Sequence, residues 1–238
     1  MACHLGTLMN RITAAAVAAL LCAGTTGSVA QSSGKPAWQQ TINRDAAPGA
    51  ALAGTTFDEK QVATIKKINA YFNELQNLRG AFTQTSADNK RLRGKFYVKR
   101  PGRFRFDYAS PSKMVIVSDG QYLAIQDHDL KTDDRLALDQ TPFRILLRKD
   151  VDILRDARIN ELQEADDLIV LSMQDKNPET PGIIKLFMVK KPNLELKEWV
   201  TTDAQGLDTR IEVTELSRTE DLDAALFKPT AITLQKLQ

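Results

Sequence analysis

The sequence predicts a mainly β protein with some α: an unclosed antiparallel β-barrel of about 10–11 short strands, capped by an α-helical lid. Three observations lead there. Short apolar-polar alternations separated by turn residues run through most of the chain. One meander, 92–127, has an unusually aromatic inner face. A single long amphipathic helix needs a greasy surface to cover, and that inner face is the available one. A flat open sheet of roughly ten strands curls or splits, so an incompletely closed barrel is the simplest way to bury both apolar surfaces.

Residues 1–30 read as an export leader. Arg11 supplies positive charge, 12–22 is an apolar run too short to span a bilayer, and Ser28-Val29-Ala30 is a small-x-small cleavage site, so the mature chain starts near Gln31. Cys3 and Cys22 both lie in that leader, which leaves a mature chain without a thiol or a disulfide. Lipoprotein leaders also end at a cysteine, but Leu21 stands where a small residue normally precedes it. Cys22 therefore reads as ordinary leader, with an acylated form as the alternative. Residues 31–55, rich in Ala, Gly, Ser, Thr and Pro without apolar period, read as a flexible linker. The folded domain is 56–238.

Thr56-Phe57-Asp58-Glu59 fits a capping box with Thr56 as the cap. Val62, Ile65, Ile68, Phe72, Leu75 and Leu78 then recur every three or four residues, predicting a helix of about six turns that Gly80 ends. A strand over 81–86 follows. In the meander, Leu92, Gly94, Phe96, Val98 and Arg100 share one face, while Arg91, Arg93, Lys95, Tyr97 and Lys99 share the other. Pro101-Gly102 suits the centre of a type II turn. The return strand puts Phe104, Phe106 and Tyr108 on one side. Residues 114–117 and 122–125 flank the hairpin signal Asp119-Gly120. After a strand at 130–138, Thr141 as cap and Pro142 at the first helical position open one or two short helical segments reaching Leu154. These leave Phe143, Leu146 and Leu147 to cover the concave side. Strands at 157–162, 168–173, 183–189, 194–201 and 207–216 complete the chain.

Only two histidines occur, and His4 lies in the leader. With His128 alone and no cysteine, zinc sites and histidine-based triads lose their usual parts. There is no G-x-S-x-G, P-loop or G-x-G-x-x-G. The expectation is a non-enzyme without cofactor or metal. The mature chain balances 31 basic against 30 acidic residues, yet eight of the basic ones and no acidic one fall between Lys90 and Arg105. That run reads as a solvated convex face, or as a docking surface for an acidic partner. Nucleic acid does not fit an exported protein of balanced charge.

KRPGRF followed by VSDGQ, with the amphipathic helix and AFTQT upstream and TPFRILL downstream, resembles the LolA family, from about Phe57 to Pro229. The resemblance implies an unclosed barrel with a helical lid and a periplasmic carrier of lipoproteins. Such a carrier takes them from an inner-membrane ABC-type lipoprotein-releasing complex and passes them to an outer-membrane acceptor where one exists. A monomer is expected. The acyl chains would lie between sheet and lid, among Phe96, Phe104, Phe106, Tyr108, Phe72, Phe143, Leu146 and Leu147, with Met114 and Ile116 also suited to lining that space. The alternatives are a lipid-anchored LolB-like acceptor or lipoprotein-sensing regulator of the same fold, or an exported scaffold whose inward hydrophobics form a solid core.

Arg100 shares the apolar face by strand parity, where an unpaired charge is costly, unless it escapes to solvent at the strand end. The resemblance makes Arg100 a latch that bonds backbone carbonyls of the lid. It also makes Phe104 the residue of the cavity mouth and Leu146-Leu147 the lid residues facing the arginine. Three features depart from the family pattern: the tether, the charged Arg144 on the short helix, and a short segment after Leu226-Phe227-Lys228-Pro229.

Overall fold

The structure, a computed structural model, describes residues 56–218 and 221–232. The leader, Cys22 and the 31–55 linker lie outside the described residues. A 16-residue helix, α1 (Glu59–Glu74), precedes five strands: β1 (Asn77–Thr85), β2 (Arg91–Lys99), β3 (Arg103–Tyr108), β4 (Met114–Asp119) and β5 (Tyr122–Asp127). Then come β6 (Thr132–Ala137), a 3-10 turn (Leu138–Gln140), and two four-residue helices, α2 (Arg144–Leu147) and α3 (Ile153–Asp156). Strands β7 (Ala157–Glu164), β8 (Leu168–Asp175), β9 (Ile183–Val189), β10 (Glu195–Thr202) and β11 (Asp208–Arg218) complete the sheet.

All eleven strands form one antiparallel sheet in the order β6-β5-β4-β3-β2-β1-β11-β10-β9-β8-β7. Every neighbour is also a neighbour in sequence except β1 and β11, which join two meanders. Among the described residues β6 and β7 are the edges of the sheet and do not pair with each other, so the barrel is unclosed, as the strand count predicts. Two glycines mark where the wall is tightest. Gly80 faces Phe96 across the β1-β2 pair and Gly94 faces Phe82. A Cβ on Gly80 would sit 2.6 Å from the Phe96 ring and 2.0 Å from the Glu215 carbonyl oxygen; on Gly94, 2.6 Å from the Phe82 ring and 2.2 Å from the Asp107 carbonyl oxygen. Each glycine vacates the space that the opposing ring fills.

Several boundaries differ from those the sequence predicts. The cap of α1 is Asp58, not Thr56: its carboxylate accepts from Gln61 N, and the Gln61 side chain accepts from Asp58 N. The helix also stops at Leu75 rather than near Gly80. Arg100 N donates to the Gln76 carbonyl at 2.9 Å, and from Asn77 onward the backbone is taken up by β2, so Leu78 belongs to a strand. At 101–103, Gly102 has the positive φ (70°) that the turn residue predicts. The turn is nevertheless not type II: Arg103 N bonds the Pro101 carbonyl, and Gly102 N donates to the Leu147 carbonyl on the lid. β6 starts two residues late because the Asp127 carboxylate accepts from Asp129 N and Leu130 N. Thr141 does not cap α2; its hydroxyl donates to the Leu138 carbonyl at 2.7 Å.

The inner face divides into two parts. Over β7 to β9 it is filled: Ile65 and Ile68 of α1 and Ile153 of α3 are fully buried together with Leu171, Met173, Leu186 and Met188. Over β2 to β5 it is not filled, and that hollow is the candidate site.

Candidate functional site

Strand parity alone aims the aromatic residues. Phe96 and Val98 on β2, Phe104, Phe106 and Tyr108 on β3, and Ile116 on β4 all face inward, where they line a cavity of about 290 Å³. Trp199 of β10 closes the far wall. Phe106 is the hub of this wall. Its ring centroid lies 5.0 Å from Phe82, 5.8 Å from Phe96, 6.0 Å from Phe104 and 6.3 Å from Trp199, mostly edge to face, a geometry that aromatic quadrupoles favour. Burial pushes the Tyr108 phenol well above its usual range, and its hydroxyl donates to Gln84 Oε1 at 2.6 Å. The pair satisfies two polar groups that the apolar wall would otherwise strand.

The roof is made by Phe72 and Leu75 of α1 and by Phe143, Leu146 and Leu147 at α2. All nine residues singled out from the sequence therefore border one space: Phe96, Phe104, Phe106, Tyr108, Arg100, Phe72, Phe143, Leu146 and Leu147. Met114 packs against the core and does not line the cavity.

Arg100 sits where β2 runs out beneath the roof, and it is buried. Its Nη2 donates to the Arg148 carbonyl and, at 3.4 Å, to Asn73 Oδ1; Nη1 reaches the Leu75 carbonyl at 3.4 Å. Among the described residues Nε has no partner. Burial lowers the guanidinium pKa, with Asp150 acting the other way. One close bond to a backbone carbonyl, two long bonds and one unmade bond thus hold this buried cation.

Sequence reasoning missed the residues that fix the roof. Asn73 bridges α1 to the segment before α3 in both directions: Nδ2 donates to the Val151 carbonyl at 3.1 Å, and Val151 N donates to Oδ1 at 2.8 Å. One turn earlier, Asn69 Oδ1 accepts from Ile153 N at 3.1 Å. The i, i+4 pair of asparagines was the visible signal. Arg144, which departs from an apolar helix, is matched by Asp175 at the end of β8. The pair is bidentate at 2.5 and 2.7 Å, and the Asp175 side chain is fully buried. That contact raises the Arg144 pKa.

The convex basic run is less free than its composition suggests. Lys99 bonds Asp221 at 2.6 Å and the Leu222 carbonyl, and Arg105 bonds the Leu226 carbonyl, so both hold the C-terminal segment. Lys90, Arg93, Lys95 and Arg103 stay exposed. Among the described residues there is no cluster able to hold a metal, and no helix long and apolar enough to cross a membrane.

The profile of the family described as outer membrane lipoprotein carrier protein LolA matches residues 73–230. An outer-membrane lipoprotein carrier protein from Chromobacterium violaceum is 31% identical over 186 residues, covering 75% of this chain and 88% of that one. One from Halorhodospira halophila is 26% identical over 177 residues, covering 71% and 82%. Among solved structures, a LolA superfamily protein from Nitrosomonas europaea aligns with 69% of this chain and 97% of its own at 12% identity, with a TM-score of 0.39.

Proposed function

Because the chain belongs to the LolA family of outer membrane lipoprotein carrier proteins, we propose that it shuttles acylated lipoproteins through the periplasm, shielding their acyl chains beneath the α1-α2 roof. The observation that carries this reading is an apolar cavity whose roof is clasped by a single buried arginine. Each acyl methylene hidden from water is worth about 0.8 kcal/mol, so a lipid of two or three long chains stays in a membrane unless a dry cavity receives it. The closed cavity, about 290 Å³, lies at the small end of the roughly 300–1,000 Å³ typical of ligand sites. Two or three chains enter only if the roof lifts. Arg100 is the latch: its bonds to the Arg148 and Leu75 carbonyls favour the closed, empty form, and re-forming them favours release.

Loading from an inner-membrane ABC-type releasing complex and delivery to the outer membrane follow from this role, after export and removal of residues 1–30. The exposed part of the basic convex face suits docking to an acidic surface on donor or acceptor. The work is binding and release, which asks for no catalytic group. Crosslinking in cells, followed by identification of the captured proteins, tests the proposal. Triacylated proteins are expected, and their absence overturns it.

A further inference from the structure

A second, larger cleft of about 750 Å³ adjoins the cavity and shares Tyr71, Leu75 and Leu216 with its wall. Its rim is polar and exposed: Lys67 and Glu74 of α1, Asn193, and Arg218 of β11. The cleft opens where two strands part. β10 and β11 pair only from Glu198↔Glu212 to Thr202↔Asp208. Had the ladder continued, Leu196 would face Thr214. Instead β10 is shifted against β9 between Leu196 and Glu198, and Leu196 N donates to the Tyr71 hydroxyl at 3.0 Å. On the other side, 213–218 pairs with β1 alone among the described strands. Its second edge faces the cleft, unlike the rest of β11.

Resting on the carrier reading, we infer that this split is the exit for the cargo's polypeptide: the extended peptide that follows the acylated cysteine adds as a strand to the free edge of 213–218. Three observations favour that occupant. Acyl chains in the cavity are covalently joined to a polypeptide, which must leave through the cavity wall, and the shared Tyr71, Leu75 and Leu216 put this cleft directly behind that wall. The rim mixes Lys67 and Arg218 with Glu74 and Glu195, so it selects no one charge. Main-chain pairing ignores side-chain identity, which suits a carrier whose cargoes share only their lipidated end. The Leu75 carbonyl at this boundary also accepts from Arg100, placing the peptide's exit beside the latch.

The test uses a synthetic triacylated cysteinyl hexapeptide of serine, asparagine and alanine, and the same triacylated cysteine as a methyl ester without peptide. Amide hydrogen exchange is followed over 213–218 while displacement of a lipophilic dye reports cavity filling. The peptide conjugate is expected to slow exchange in that segment roughly ten-fold, the ester not at all, while both displace the dye. N-methylation at alternate peptide residues should weaken binding roughly ten-fold in one register and little in the other. Dye displacement by both lipids without protection of 213–218 overturns the exit and leaves the carrier intact. Displacement by neither overturns both. Equal effects of the two N-methyl registers overturn strand addition. So does protection already present in the empty protein, as a second copy or the chain's own amino-terminal segment seated there would give.

Discussion

Arg100, at the end of the β2 hairpin arm, donates to the backbone carbonyl of Arg148, the residue that caps α2. One side chain of the wall thus holds the last residue of the roof, and on the carrier role proposed above the loaded state has to break that bond. Replacing Arg100 with leucine removes a cost of opening without removing apolar lining. Arg100→Leu is expected to bind lipopeptide as well or better and to release it about ten-fold more slowly, the worth of about 1.4 kcal/mol of net hydrogen bonding. Unchanged transfer kinetics to acceptor membranes would reject the latch.

Trp199 reports on the cavity directly. With Trp38 changed to phenylalanine it is the remaining tryptophan. Lipids brominated along the acyl chain are expected to quench most of its fluorescence, whereas lipids brominated only at the headgroup leave it bright. Equal quenching by both would place the chains elsewhere.

The Arg144-Asp175 pair anchors α2 to β8. Arg144→Leu strands a fully buried carboxylate and should cost roughly 3–5 kcal/mol in chemical denaturation. Replacing both partners with apolar residues should recover most of that loss. A double variant as unstable as the single one would contradict this account.

Gly94→Val drives a Cβ into the Asp107 carbonyl, which belongs to the neighbouring strand and has nowhere to move. A loss of about 3 kcal/mol is expected, the upper end for overpacking. Gly206→Ala, in open space at φ +80°, is the contrast and should cost roughly 1–2 kcal/mol of backbone strain. The thermal midpoints of the two variants separate these origins.

Hydrogen bonds from Arg155, then burial acting the other way, then a bond from Arg148 set the Asp156 carboxyl below its ordinary value of about 3.9. Because the folded-state pKa is the depressed one, its stabilising contribution is complete above about pH 4. It is lost as the pH falls through the folded value. Protection factors in α3, corrected for the intrinsic exchange rate, are expected to fall in that acid window in the parent protein, and Asp156→Asn should lack the step.

The inward set was legible because half-buried strands alternate strictly; Phe96, Phe104, Phe106 and Tyr108 needed nothing more than parity. The end of α1 was not, since Leu75, Leu78 and Phe82 keep helical spacing across what is in fact a change to strand. Tertiary pairing of Asn77 with Lys99 decides that boundary, and no local signal encodes it. The bonding of Arg100 was half legible. Arg100 could be placed on the apolar face, but two of its acceptors are backbone carbonyls, which any residue supplies. Asp175 lies 31 residues beyond Arg144, a separation at which only the folded chain brings the charges together.

The β1-β11 junction is the sheet's single long-range join, between segments well over a hundred residues apart. Each meander can zip from its own hairpins, but this suture bears the loop-closure entropy of the whole chain and is expected to set the pace of folding. Until it closes, the phenylalanines of the amino-terminal meander have no opposite bank. A newly made chain therefore becomes sticky before it becomes selective, and its need for protection is greatest at the moment when it most resembles the acylated cargo proposed for it.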